Sequence, residues 1–202
     1  LDFGSPTDYL RTMPARPRQL DLLGPPLAED REVLQDGAVL LRGFAAASAA
    51  ELVGTTLHIA ELAPFRHMVT PGGYTMSVAM TNCGAAGWVT DRTGYRYDAH
   101  DPQTGKPWPP IPENFLALAG RAAAAAGFPG FVPDACLINR YQPGARLSLH
   151  QDLDETDHGH PIVSVSLGLP AKFLFGGHKR SDRPRRYLLH SGDVAEIGRA
   201  HV

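Results

Sequence analysis

His150 and Asp152, separated by Gln151, are the residues best spaced to do chemistry. On an extended strand, residues i and i+2 point to the same face. One imidazole and one carboxylate then converge on a single cation. With a distant third ligand, such a pair makes the facial triad of non-haem Fe(II) oxygenases, which keeps positions open for a cosubstrate and for oxygen. The triplet alone is a weak signal, because the chain carries nine histidines and 21 acidic residues. In isolation, a solvated surface pair is the plainer reading. Eleven residues earlier stands Asn139-Arg140-Tyr141, beyond a Pro143-Gly144 turn. An antiparallel hairpin would aim the Asn amide and the Tyr hydroxyl at the same mouth, both donors for a carboxylate. Ordinary strand polarity accounts for them equally well. Asp154 shares the parity of Asp152 and would add a second carboxylate to that mouth.

Two further features suit a nucleic acid. Five of the eight residues from Lys179 to Arg186 are basic, as a phosphate backbone requires and as a solvated loop also allows. Trp88 and Tyr95 lie in an aromatic stretch with Tyr97 and Trp108. Such rings stack on an unpaired or flipped base, or simply pack their own loop. Cys83 and Cys136, the only cysteines, read as buried reduced thiols.

The elements that must position these residues are those of an ordinary globular domain. The chain has 202 residues, is 43% apolar and 20% charged, and carries a net charge of −2. That composition excludes a disordered polyelectrolyte, a collagen-like fibre and a disulfide scaffold. It also excludes binding of polyanions by bulk charge, while leaving room for a local basic groove. No apolar run approaches the roughly 18 residues of a membrane span, and no basic-then-apolar leader is visible. The expectation is a cytoplasmic protein with no membrane partner.

With 21 Gly and 18 Pro, a turn-rich, mostly β architecture is expected. Residues 1–36 read as an N-terminal arm with a short helix at Glu29–Gln35. A strand is expected at Ala38–Arg42, then a helix capped by Ser48 and running to Leu62. Tyr74–Thr81 reads as a strand and residues 82–112 as a long loop. A second helix spans Glu113–Ala126, closed by Gly127. Short strands follow at Ala135–Gln142, Arg146–Gln151, Ile162–Leu169, Ala171–Phe175 and Arg186–His190. Val163, Val165, Leu167 and Leu169 alternate with smaller or polar residues, the period-two mark of a half-buried strand. The sum is a sandwich or barrel with two helices outside.

Four ordered segments carry a resemblance. They are Met68 to Ser77 (MVTPGGYTMS), Pro133 to Tyr141 (PDACLINRY), Leu147 to Asp152 (LSLHQD) and Pro161 to Pro170 (PIVSVSLGLP). From about Val33 to Val194 the chain resembles the AlkB family of Fe(II)- and 2-oxoglutarate-dependent nucleic-acid dealkylases, in its bacterial DNA-repair form. The resemblance implies a double-stranded β-helix, or jelly roll, with a nucleotide-recognition lid. It implies His150 and Asp152 as iron ligands, and Asn139, Arg140 and Tyr141 as the 2-oxoglutarate-binding group. It implies Trp88, Tyr95 and Asp154 around the damaged base, with Thr70, Arg96, Tyr97 and Arg180 near the strand. The implied reaction is oxidative demethylation of 1-methyladenine or 3-methylcytosine. 2-Oxoglutarate becomes succinate and carbon dioxide, and the methyl group leaves as formaldehyde. The implied partner is alkylated DNA, single-stranded by preference, with RNA as a second substrate, and the implied state is a monomer. A non-catalytic single-stranded nucleic-acid-binding module is the rival reading of the same basic and aromatic residues.

The domain expectation is an arm at 1–36 and a dioxygenase domain at 37–194, with its lid at about 64–112 and its jelly-roll core at about 134–194. A non-matching tail follows at 195–202. The facial set needs a third ligand, which in the family is a His about thirteen residues past the position of Asp193, followed by two Arg that hold the cosubstrate. His201, only eight residues past Asp193, reads as a solvated tail residue. The expectation is therefore a chain truncated at its C-terminus. Its last strands would be missing, the strand after Gly192-Asp193 would stay incomplete, and its activity and folding would be impaired.

Overall fold

The computed structural model of the chain describes residues 30–150, 160–177 and 182–198. Asp152, Asp154, Arg180, His201 and most of the N-terminal arm lie outside the described residues. Four sheets appear in chain order. β1 (Arg31–Gln35) and β2 (Ala38–Leu41) form a hairpin turned at Asp36-Gly37, where Gly37 adopts φ +76°. This corrects the expected helix at Glu29–Gln35 over its described part. Glu, Leu and Gln favour a helix locally, but Val33 pairs with Val39 across the ladder and tertiary pairing overrides propensity. Helix α1 (Ala49–Leu62) follows as expected. Ser48 does not cap it, because its hydroxyl donates to the carbonyl of Ala45 at 3.2 Å.

β3 (Arg66–Val69) and β4 (Thr75–Gly84) come next, then β5 (Gly87–Asp91) and β6 (Gly94–Asp98). The expected loop over 82–112 is thus mostly strand from 82 to 98 and remains irregular from 99 to 112. Trp88, Thr90, Tyr95 and Tyr97 occupy one face of the β5–β6 hairpin, with Val89 and Arg96 on the other. That is a period-two pattern in which aromatic residues take the place of aliphatic ones. Helix α2 (Glu113–Ala126) begins after Pro112 and ends at Gly127, whose φ of +106° closes it in a left-handed cap.

β7 (Ala135–Arg140), β8 (Ile162–Val165), β9 (Ala171–Phe175), β10 (Arg185–Leu189) and β11 (Val194–Ile197) complete the described elements. Residues 146–150 are not a strand. Instead Ser77 holds the segment, its hydroxyl donating to the carbonyl of Arg146 and accepting from the Arg146 N–H. β8 stops at Val165, short of the expected Leu169, before Gly168 at φ +91° and Pro170.

The first sheet has the order β1-β2-β11-β8, all antiparallel. Residues 195–197, outside the resemblance, are therefore interior. β11 pairs on one side with β2 and on the other with β8, so the strand expected to be incomplete has both its neighbours. Val39, Leu41 and Val194 face Leu52 of α1 and Leu118 and Ala122 of α2. The opposite face, Leu34, Ala38, Leu40 and Ala195, meets Phe173, Phe175, Tyr187 and Leu189 of the β9–β10 pair. Two sheets packed face to face with helices on one outer face make the mostly β, jelly-roll architecture expected. A third core lies under β3-β4-β7 and the β5–β6 hairpin. Its members are Met68, Val78, Met80, Val89 and Trp108, with Met76, Trp88 and Leu147 against them. No helix among the described residues is long and apolar enough to cross a membrane.

Candidate functional site

β7 carries the proposed cosubstrate group, and its alternation divides that group. Asn139 lies across from Met80 and shares its face, which looks into the core containing Trp88 and Trp108. Arg140 lies across from Ala79, on the other face. There its guanidinium lies over the ring of Phe65, 4.5 Å from the centroid, a cation–π contact. This corrects the expected trio. Successive residues of a strand serve opposite faces, so Arg140 does not join Asn139 and Tyr141. The side-chain oxygen of Asn139 is buried and has no hydrogen-bond partner among the described residues. Tyr141, just past the strand, is 52% exposed, and partial burial pushes its hydroxyl above the usual phenol range. It therefore stays a protonated donor at neutral pH.

His150 is exposed, and its Nδ1 sits 2.7 Å from the carbonyl oxygen of Ser148. A carbonyl only accepts, so Nδ1 carries the proton and the lone pair is on Nε2. A backbone carbonyl that fixes the tautomer in this way is the usual outer partner of a metal-binding imidazole. Among the described residues no three His, Cys, Asp or Glu side chains gather as a metal cluster. Asp152 and Asp154 lie outside the described residues.

The aromatic wall is formed. Trp88 and Tyr95, diagonal neighbours across β5–β6, stack with centroids 5.7 Å apart and planes 24° from parallel. Tyr95 is 50% exposed and Tyr97 39%, so the hairpin presents two phenol rings to solvent on the Trp88 face. Arg96 is on the reverse face, in ion pairs with Asp91 at 3.0 Å and Asp98 at 3.5 Å. Thr70 sits in the turn after β3, where its hydroxyl accepts from the Tyr74 N–H at 3.2 Å. Arg180 lies outside the described residues.

Three sets of polar residues escape the sequence reading. Asn82, fully buried, bonds both backbone groups of Trp88. Arg66 grips Asp101 through both guanidinium nitrogens, at 2.6 Å for the Nη2–Oδ2 contact, and lies 5.5 Å over the Trp108 ring. The Arg66 guanidinium holds the buried Asp101 carboxyl below the usual carboxylate range. This pair ties β3 to the segment after β6 and so anchors the hairpin that carries the aromatic wall. Asp193 and Arg42 form the third set, far from the aromatic wall. The one available sequence signal was a buried-strand pattern interrupted by a single polar residue, as at Asn82 between Met80 and Gly84. Cys83 and Cys136 face each other across β4 and β7. Both are free thiols, with Cys83 buried and Cys136 half-buried.

The profile of the 2OG-Fe(II) oxygenase superfamily matches residues 37–200. The chain is 62% identical over 168 residues to the Alpha-ketoglutarate-dependent dioxygenase AlkB of Escherichia coli (strain K12), covering 83% of this chain and 78% of that one. It is 36% identical over 107 residues to the human Nucleic acid dioxygenase ALKBH1, covering 53% of this chain and 27% of that protein. In three dimensions it is similar to the solved structure of OsALKBH1. The TM-score is 0.71 at 28% identity, covering 83% of this chain and 82% of the other.

Proposed function

The chain belongs to the AlkB family of the 2OG-Fe(II) oxygenase superfamily, and on that premise we propose a reaction, a substrate and a residue set for it. It is an Fe(II)- and 2-oxoglutarate-dependent dioxygenase that dealkylates nucleic acids by oxidation. The substrates of this reading are 1-methyladenine and 3-methylcytosine in DNA, single-stranded by preference, with RNA as a second substrate. The protein acts as a monomer in the cytoplasm.

The observation that carries the residue set is one shared core. Trp88, which stacks on Tyr95, and Asn139, on the Met80 face of β7, both adjoin the core under the β3-β4-β7 sheet and its hairpin, and Tyr141 follows directly after β7. The Tyr141 hydroxyl and the Nδ2 amide of Asn139 are donors that suit a carboxylate cosubstrate, and the protonated Nδ1 of His150 suits a metal on Nε2. Two ligands of the facial set and two cosubstrate donors are thus in hand, and no third ligand gathers with His150 among the described residues. His150 and Asp152 would hold ferrous ion, and Asn139 and Tyr141 would hold 2-oxoglutarate. Bound together, these groups would supply the oxidising chemistry with dioxygen as co-reactant: one oxygen atom goes to the N-methyl carbon as a hydroxyl, and the other goes into succinate as the keto acid loses carbon dioxide.

This chain's own residues do the rest. The Trp88 and Tyr95 rings bind the flipped base by stacking, worth about 1–3 kcal/mol per base. Both methylated bases are cationic, so the Asp154 carboxylate would favour them over the neutral parents. The Tyr141 hydroxyl and Asn139 amide orient the cosubstrate by hydrogen bonds. Once the hydroxymethyl group exists, it loses formaldehyde without further help. Tyr97, Thr70 and Arg180 would line the path of the strand. Arg96, held by Asp91 and Asp98 on the reverse face, is a weaker candidate for that path.

The test is anaerobic titration of the protein with ferrous ion and 2-oxoglutarate. The expected result is a visible charge-transfer band that is lost in His150→Ala, and formaldehyde release from methylated oligonucleotide once oxygen is admitted. Binding of DNA with no response to iron or 2-oxoglutarate, and no band, would instead establish the non-catalytic binding module.

A further inference from the structure

Asn82 is the least expected polar side chain in the molecule. It is fully buried near the end of β4, two residues along from Met80 on the face that looks into the third core. Its amide donates one hydrogen bond to, and accepts one from, a single residue. Nδ2 donates to the Trp88 carbonyl at 3.0 Å, and Oδ1 accepts the Trp88 N–H at 3.0 Å. A side-chain amide that satisfies both backbone groups of a single residue acts as a substitute strand. It fixes the peptide planes on both sides of Trp88, and through them the direction of the indole. The space around it is tight. A Cβ at Gly87 would come within 2.7 Å of the Asn82 Cβ and 2.6 Å of the Trp108 ring, so only glycine lets the chain pass this close. Trp108 is pinned in turn, its Nε1 donating to the Asp98 carbonyl at 2.9 Å.

We propose that Asn82 is the positioning residue of the base platform: its amide holds Trp88 where the indole stacks on Tyr95 and receives the methylated base. This rests on the base-binding reading of Trp88 given above. The geometry favours it over a purely structural role for two reasons. An apolar residue of similar size would fill the core as well. And both hydrogen bonds of the amide go to the one residue that carries the platform, none to the strands beside it. An amide is needed because the target is a peptide unit with one donor and one acceptor, which Leu, Met or Ser cannot match at both ends.

The test reads binding rather than turnover. Trp88 and Trp108 are the only tryptophans, and Trp108 is buried at 5%. Quenching of emission by a single-stranded oligonucleotide therefore reports on Trp88. Dissociation constants are measured by the anisotropy of one dye-labelled oligonucleotide with and without a single 1-methyladenine, on the wild type, Trp88→Leu, Asn82→Ala and the double variant, with the quenching as a check on the two proteins that keep Trp88. Stacking of this kind contributes about five- to a hundredfold in affinity. The methylated-over-unmethylated preference should fall by a similar factor in Trp88→Leu and in Asn82→Ala. The double variant should fall no further, and binding of the unmethylated strand should change less than twofold.

Asn82→Asp supplies a second readout. Its neutral acid offers the same donor and acceptor as the amide, and its anion does not. The methyl-base preference of this variant should therefore return as pH falls through the raised pKa of the buried acid, with no such profile in the wild type. An Asn82→Ala preference equal to wild type, or an Asn82→Asp preference without pH dependence, overturns the inference while leaving the base site of Trp88 standing. A Trp88→Leu variant with unchanged preference overturns both. If Asn82→Ala does not fold, the Asn82→Asp profile decides alone.

Discussion

Two carboxylates three residues apart in the chain, Asp193 and Glu196, sit at the two ends of β11 and differ in every respect but burial. Asp193 lies in the turn that opens the strand. Its Oδ1 accepts the Gly43 N–H at 2.8 Å, and its Oδ2 accepts the His190 N–H at 3.0 Å and Arg42 Nη1 at 2.9 Å. Burial alone would raise its pKa. The two backbone donors and the guanidinium outweigh that and hold it below the usual carboxylate range. Glu196 lies opposite Val39 and Val163, on the face it shares with Val194. Its neighbours there are the apolar side chains beneath α1 and α2. Neither of its oxygens has a partner among the described residues, and burial pushes it up to about 8. A buried carboxylate stabilises a fold only when the fold brings donors to it.

The largest effect expected is a gain from removing Glu196. One pKa unit is about 1.4 kcal/mol, so the rise from 4.5 to about 8 corresponds to about 3–5 kcal/mol at pH 8. Glu196→Leu should raise the unfolding free energy, read from the shift in denaturant midpoint, by that amount at pH 8, and the gain should shrink toward pH 4.5. The sign follows from linkage: the folded protein keeps a proton that the unfolded chain releases, so the parent loses stability as pH rises from about 4.5 to 8. An equal gain at pH 5 and pH 8 would mean that the carboxylate has found donors or water.

Asp193→Ala should do the opposite, at about 2–4 kcal/mol of loss. It strands two N–H groups and the Arg42 guanidinium, and hydrogen bonds to charged groups contribute about 1.5–3 kcal/mol each without adding fully. Here the pH dependence is reversed. The stabilisation is present above the unfolded carboxylate pKa and fades as pH falls through the lower folded value, so urea midpoints of parent and variant should approach each other in acid. Arg42→Met sharpens the contrast with the smallest change, a loss of about 1 kcal/mol. It removes one charged donor from Asp193 and the exposed ion pair with Glu32 at 2.7 Å, but leaves both backbone N–H groups in place. A loss equal to that of Asp193→Ala would transfer the clamp from the backbone to the guanidinium.

The same division runs through the candidate site. The motif residues were legible because type and spacing identify them. Strand alternation holds for Asn139 on β7, but the segment 146–150 before His150 is not a strand, so the roles of Tyr141 and His150 rest on the motif resemblance. Helix α2 was legible to the residue, because Pro112 and Gly127 bracket an unbroken run of good helix formers. The β5–β6 hairpin was missed. Its turn residues Arg92-Thr93 are not the usual hairpin pair, and its aromatic alternation resembles a solvated loop. The strand at Arg31–Gln35 was missed because its residues suit a helix until β2 pairs with it. Arg140 was assigned by adjacency to Asn139 and Tyr141, whereas the pleat sends it to Phe65.

The residues alone determined the chemistry on offer: an imidazole, a carboxylate, an amide and a phenol at spacings that suit iron and a keto acid, beside rings that suit a base. They also determined the sheet-and-helix texture, because periodicity and turn chemistry are local. Only the tertiary structure decided which buried polar groups found partners. Arg42 and Asp193 meet across 151 positions of sequence, and Glu196, three residues further on, finds no hydrogen-bond partner among the described residues. The cost of desolvating a charge is set by the atoms that end up around it. Those atoms come from other strands and helices, so that cost is a property of the assembled fold.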